Sequence, residues 1–211
     1  MAMTMLIYHS TPLFIMPFKS IKNVMFDTSF LLKDSPDVDE IIKILRRDRI
    51  SCYISSTVQT ELDNLYYFGQ ISSQQFNKAI ARCRKAGAGN IEGNRNYLEE
   101  SITKECTISM NIEHGVGAKE VRNDCSILTS SLNNHIDLIL SEDFHFTSKY
   151  SDNVINTVCE RTCDRFQRLC ECDILALNKD TFLAAYKGNM VDLAVIDGMK
   201  YDIRKNTKRI H

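Results

Sequence analysis

Early in the chain, two short apolar runs bracket one amphipathic helix, and that order admits few folds. Val24-Met25-Phe26 reads as a buried strand that ends at Asp27, after which Thr28-Ser29-Phe30-Leu31-Leu32 carries the chain back toward a core. Ser35-Pro36 supplies an N-cap followed by proline at the first helical position. Val38, Ile41, Ile42 and Leu45 then recur on one helical face, and Arg46, Arg47 and Arg49 follow where cations suit the negative end of a helix dipole. Ile50-Ser51-Cys52-Tyr53-Ile54 is a second strand by length and composition. A β-α-β unit implies parallel strands and a right-handed crossover. Ligands of such sheets bind beyond the carboxyl ends of the strands, which is where Asp27 stands. A lone aspartate there is ordinarily a turn or cap residue, so its meaning depends on what else arrives at that edge.

Three further acids do. Ser56-Thr57-Val58-Gln59 has capping-box spacing and opens a helix whose apolar stripe is Val58, Leu62 and Leu65. Glu61 lies about 60° from Val58, on the border of that stripe. A helix over Lys119 to Asn134 puts Val121, Ile127, Leu128 and Leu132 on one arc with Asp124 inside it. An ionised carboxylate in that arc is unfavourable unless it is paired, capped or bound to a cation. Lys119, Arg122 or a backbone cap would be the structural partners. Ile136 to Leu140 is the next strand, and Ser141-Glu142-Asp143 ends it, so Asp143 repeats the placement of Asp27.

Elsewhere the reading is plainer. Helices are expected from Ser72 to Lys85 and from Arg95 to about Ile108, with Gly87, Gly89 and Gly93 as a linker between them. Val154 to Val158 reads as a strand, a helix follows from Glu160 to Glu171, and the pattern weakens after Leu175 except for a helix near Lys179 to Tyr186. With 211 residues, 44% hydrophobic and 25% charged, the chain can bury a sizeable core. A net charge of −1 does not announce nucleic acid, so polyanion binding would use local patches. Residues 1–20 read as a leader, flexible over the first 16 or preceding a start at Met16. A domain over 21–175 and an extension over 176–211 with a basic tail complete the division. The N-terminus lacks an export signal, no run is long enough to span a membrane, and the eight cysteines are expected as reduced thiols in the cytoplasm.

Four acids in this order resemble the PIN-domain nucleases, including the VapC-type toxins of toxin–antitoxin pairs. The matching pieces are Phe26-Asp27-Thr28-Ser29-Phe30, Ser55-Ser56-Thr57-Val58-Gln59-Thr60-Glu61-Leu62, Asn123-Asp124-Cys125-Ser126 and Leu140-Ser141-Glu142-Asp143-Phe144-His145-Phe146. They span roughly residues 21 to 160. The resemblance implies a three-layer α/β/α sandwich around a mostly parallel sheet of four to five strands. It implies an endoribonuclease that uses Mg²⁺ or Mn²⁺ and leaves 5′-phosphate and 3′-hydroxyl products. It further implies an antitoxin protein as partner and a homodimer, for which Tyr66, Tyr67 and Phe68 are the candidate surface. Where many relatives carry a second acid two residues after the last one, this chain has His145, readable as a substrate-facing donor or a surface residue, with the surface reading preferred.

Physical chemistry supports the same conclusion independently. Two carboxylates ~5 Å apart at an effective dielectric of ~20 repel by about 3 kcal/mol, and four together by an amount of order 10 kcal/mol. Either some are protonated or a divalent cation sits among them, and oxygen ligands suit Mg²⁺ or Mn²⁺. Asp27, Glu61, Asp124 and Asp143 are the expected catalytic metal ligands, with Ser29 and Ser141 orienting them. The alternatives are a PIN-like module that binds RNA or protein without cutting, and an RNA-processing nuclease without an antitoxin. An aspartyl phosphatase would need Asp-x-Asp, which Asp27-Thr28-Ser29 lacks. Cys159, Cys163, Cys170 and Cys172 lack the paired Cys-x₂-Cys spacing of zinc knuckles and read as core thiols. The basic runs Arg46-Arg47-Asp48-Arg49 and Arg82-Cys83-Arg84-Lys85 read as solvated faces.

Overall fold

The computed structural model describes residues 15–92, 96–168 and 174–200 of the chain. The first half forms β1 (Ile15–Pro17), β2 (Asn23–Phe26), α1 (Thr28–Leu32), α2 (Pro36–Arg47), β3 (Ser51–Ser55), α3 (Ser56–Tyr67), α4 (Ser73–Ala86) and β4 (Gly89–Ile91). The second half adds α5 (Tyr97–His114), α6 (Arg122–Asn133), β5 (Leu138–Leu140), α7 (Phe144–Thr147), α8 (Ser151–Phe166), β6 (Leu175–Leu177), α9 (Lys179–Gly188), β7 (Met190–Asp192) and α10 (Leu193–Met199).

Five strands pair in parallel in the order β4-β3-β2-β5-β6, and helices flank the sheet as the α/β/α reading requires. β2 sits in the middle, with Val24 opposite both Cys52 and Leu138. Its Val24, Met25 and Phe26 are all fully buried, which explains why this strand reads as an unbroken apolar run rather than an alternating one. One helical group packs α2 against α4 and α9, and another packs α5 against α6 and α8. Ser35 caps α2 as expected by accepting from the Asp37 N–H, and Val38, Ile41, Ile42, Ile44 and Leu45 are its buried face. No helix among the described residues is long and apolar enough to cross a membrane.

Several local expectations change. The cap of α3 is Ser55, whose hydroxyl accepts from the Val58 N–H, so the helix starts one residue earlier than the Ser56 capping box implied. The glycine segment is not a plain linker. Gly87 ends α4 at φ 69° in the left-handed region, and Gly89 begins edge strand β4, where an added Cβ would lie 3.4 Å from the Tyr53 ring. Val154 to Val158 belongs to helix α8, because Val154, Ile155, Val158, Cys159 and Thr162 share one buried helical face. Leu175–Leu177, where the pattern weakens, is the fifth strand of the sheet, so the boundary expected at residue 175 falls inside β6. At the other end β1 pairs antiparallel with β7, and the Phe18 ring packs edge-on against Phe182 and Tyr186 at 5.2 and 5.1 Å. Gly93, Cys170, Cys172 and the basic tail lie outside the described residues.

Two polar expectations also fail. Arg82 is not on a solvated face. It is 1% exposed, pairs with Asp39 at 2.9 Å and donates to the carbonyls of Leu31, Lys33 and Ser35, tying the end of α1 to α2 and α4. Nor are the thiols all reduced. Packing of α5 on α6 brings Cys106 and Cys125 to a Cα separation of 5.5 Å as a disulfide, Cys159 and Cys163 are also disulfide-bonded, and Cys52 and Cys83 are free and buried.

Candidate metal centre

Parallel strands place all their carboxyl ends on one edge, and the residues that follow β2, β3 and β5 meet there. Asp27 extends the ladder past β2, its N–H donating to Leu140 O at 2.9 Å, and its side chain caps α1 by accepting from the Thr28 N–H at 2.7 Å. The second carboxylate oxygen accepts from two hydroxyls, Ser29 at 2.5 Å and Ser141 at 2.7 Å. Those hydroxyls in turn accept from the backbone N–H groups of Glu142 and Asp143, each at 2.9 Å. The end of β2 and the end of β5 are thereby locked together through a pair of serines.

Glu61 reaches the same edge from α3. One of its oxygens accepts from the Thr28 hydroxyl at 2.6 Å, and the other lies 3.4 Å from the Asn123 side-chain amide. Asp124 stands in the first turn of α6, where a negative charge suits the helix dipole. Asp143 caps α7 by accepting from the His145 N–H at 2.9 Å. His145 is not a surface residue. It is 4% exposed, and its Nδ1 lies 2.8 Å from Asp124 Oδ2 and 3.1 Å from Asp143 Oδ1. Asp124 therefore takes His145 as partner, in place of the Lys119, Arg122 or backbone cap weighed from the sequence.

Electrostatics binds these groups into one unit. Burial pushes the Asp27 carboxyl up to about 7, the Ser29 and Ser141 hydroxyls pull it back in part, and the charges of Asp124 and Glu61 add to the rise. Burial likewise raises Asp124, against the pull of His145, with Asp143 and Glu61 adding to the rise. Burial acts to raise Asp143 too, but contacts with His145 outweigh it and hold the carboxyl low. Burial opposes protonation of His145, yet the two flanking carboxylates prevail and lift the imidazole to about 9.

This donor set fits a divalent cation. One ligand atom each from Asp124, Asp143 and His145 lies within 4.8 Å of the others; Asp27 and Glu61 lie outside that group, with the Glu61 charge acting on both Asp124 and Asp27 and the Asp124 charge acting on Asp27. Carboxyls this strongly driven toward the neutral form would regain their charge beside a dication. Glu142, between Ser141 and Asp143, faces elsewhere: it accepts from the Lys179 N–H at 2.8 Å and holds the start of α9. Thr28 and Asn123 are the residues that sequence reasoning missed here. His145 was noticed, two residues after Asp143 where a further acid was expected, but was assigned to the surface.

A groove of about 980 Å³ opens from Glu61 and Asn123 between α3, α5 and α6. Hydroxyls such as Thr57, Thr60 and Ser126 line it, with Lys104 and Arg122 as its cations and Glu99 and Glu100 as opposing charges.

No protein-family model matches this chain, and no curated protein matches it either. Among solved structures, it is similar to a chain of the VapBC2 complex of Rickettsia felis, crystallised with a DNA fragment from its promoter. The identity is 14%, the TM-score 0.39, and the match covers 74% of this chain and 98% of that one.

Proposed function

We propose that this chain is a PIN-type, metal-dependent endoribonuclease that hydrolyses RNA phosphodiester bonds. The observation that carries the reading is the meeting of Asp27, Glu61, Asp124 and Asp143 at one sheet edge with Asp27 and Asp124 driven toward protonation. Asp124 and Asp143 would hold Mg²⁺ or Mn²⁺ directly, and Asp27 and Glu61 would complete its surroundings through water. Such an ion supplies Lewis acidity toward water and toward the scissile phosphate. The chain's own residues do the rest. Ser29 and Ser141 fix the Asp27 carboxyl, which exchanges its proton near neutral pH and would be ionised beside a dication. Thr28 and Asn123 aim Glu61, and the hydroxyl-lined groove beside it receives a sugar–phosphate backbone, with Lys104 and Arg122 facing the phosphates.

In this reading the protein acts in the cytoplasm as the toxin of a toxin–antitoxin pair, with an antitoxin partner. Tyr67 and Phe68, both exposed at the end of α3, form part of a homodimer surface. In that compartment the burial of Cys106 and Cys125 would shield their disulfide from thiol attack.

Asp124→Asn is the direct test. Cleavage of single-stranded RNA should fall at least about a hundredfold, a loss of roughly 3 kcal/mol of transition-state stabilisation. The melting temperature of the chelator-treated protein should hold or rise, since the substitution removes a carboxylate that burial disfavours. Retained cleavage, or a large drop in that melting temperature, would make Asp124 a structural residue. His145 supports a second reading, a PIN-like module that binds without cutting, because its cation already answers Asp124 and Asp143. Manganese binding without RNA turnover would select that reading.

A further inference from the structure

The geometry points to His145 as a direct ligand of the ion in this centre, giving an Asp124–Asp143–His145 set that selects a first-row transition dication such as Mn²⁺ over Mg²⁺. The inference rests on reading the converging acids as a metal centre, and adds what kind of metal they take. Three ligand atoms within 4.8 Å are not sufficient, since acidic residues cluster without ions. The histidine supplies the independent observation. Its ring is buried to 4% exposure, and neither Nδ1 nor Nε2 makes a hydrogen bond of acceptable geometry. Buried polar atoms nearly always have such partners. Nδ1 nevertheless lies 2.8 Å from one carboxylate oxygen and 3.1 Å from the other. Two donors about 2.1 Å from an ion and at right angles to one another stand about 3.0 Å apart. The oxygens flank Nδ1 as fellow ligands would.

The ring is also fixed in place. Its backbone N–H is held by Asp143, Phe144 packs on it at 3.9 Å between centroids, and His114 lies beyond at 5.7 Å. Asp27 and Glu61 do not compete for the same place, because the Asp27 oxygens accept from Thr28, Ser29 and Ser141 and the Glu61 oxygens face Thr28 and Asn123. The inner set is therefore two oxygens and one nitrogen. Imidazole suits transition dications, whereas Mg²⁺ keeps to oxygen donors and retains its waters.

Pulsed electron paramagnetic resonance of Mn²⁺ bound to the full chain tests this without any substitution. The spectrum should show coupling to one histidine nitrogen, and the pattern should change when the protein carries ¹⁵N-histidine. Absence of nitrogen coupling overturns the assignment. Competition binding gives a second measurement. Mn²⁺ should outcompete Mg²⁺ by about a hundredfold, and His145→Asp should cut that ratio about tenfold or more. An unchanged ratio in a variant with native circular dichroism overturns it as well. RNA cleavage, measured alongside, separates the two claims. Nitrogen coupling without cleavage would leave His145 a ligand and remove the nuclease, while cleavage with Mn²⁺ that shows no nitrogen coupling would keep the nuclease and remove the ligand.

Discussion

The carboxyl of Asp27 is 3% exposed, accepts three hydrogen bonds and still has its pKa pushed up to about 7. Three donors would ordinarily hold a carboxylate low, so burial beside Asp124 and Glu61 outweighs them. A folded-state pKa above the unfolded value near 3.8 means that the folded protein binds the extra proton between those limits. Stability from this group is thus full below pH ~4, declines as pH rises, and is gone above pH ~7, a change of roughly 4 kcal/mol. Asn at this position keeps an acceptor for the Thr28 N–H and has no charge to acquire. Urea unfolding of chelator-treated Asp27→Asn should show a flatter dependence between pH 4 and 7 than the parent, and greater relative stability at pH 8. A slope unchanged by the substitution would assign the titration to another acid.

Among elements, the short helix α1 carries Asp27 and Thr28 at its start, and its far end hangs on Arg82. Arg82→Ala would leave the carbonyls of Leu31 and Lys33 and the Asp39 carboxylate without their donor. A loss of about 3–5 kcal/mol in denaturant unfolding is expected, larger than a surface charge could cause. The disulfide between α5 and α6 holds the helix that presents Asp124 one residue away. Removing it as Cys106→Ala with Cys125→Ala should lower unfolding free energy by about 3 kcal/mol, the chain-entropy value for a loop of this order. Much at this scale was legible beforehand. Ser35-Pro36 marked a helix start and the Val24 to Phe26 run marked the central strand, because local capping chemistry and burial on two faces leave direct signatures. Leu175–Leu177 left none, since three apolar residues become a strand only when β5 offers its edge. Val154 to Val158 misled through β-branched composition, which packing on one helical face overrode. At the site, Asp27 and Asp143 could be read from their places after strands, Asp124 from the first turn of its helix and Glu61 from the border of an apolar stripe. The histidine between two of them could not, because only the folded contact of α6 with α7 reveals it.

For the whole molecule, a net charge of −1 conceals how unevenly charge is distributed: four acids are gathered at one sheet edge, with His145 the cation set between two of them. A fold that assembles such a pocket without an ion has stored an unfavourable term that an ion relieves. Binding to the folded state alone stabilises it by about 2.7 kcal/mol when free metal is a hundred times its dissociation constant. For a chain of this size each kcal/mol moves the melting temperature by about 2–4 °C. Saturating Mn²⁺ should therefore raise the melting temperature of chelator-treated protein by roughly 5–10 °C at pH 7.5. The same addition should do little for Asp124→Asn, which lacks a ligand, and less for the parent at pH 4, where Asp27 holds its proton and protons compete with the ion at the remaining acids. Calorimetric scans of the four combinations of variant and pH decide the matter, because a nonspecific salt effect would raise all four alike, whereas an ion held by these side chains raises one most.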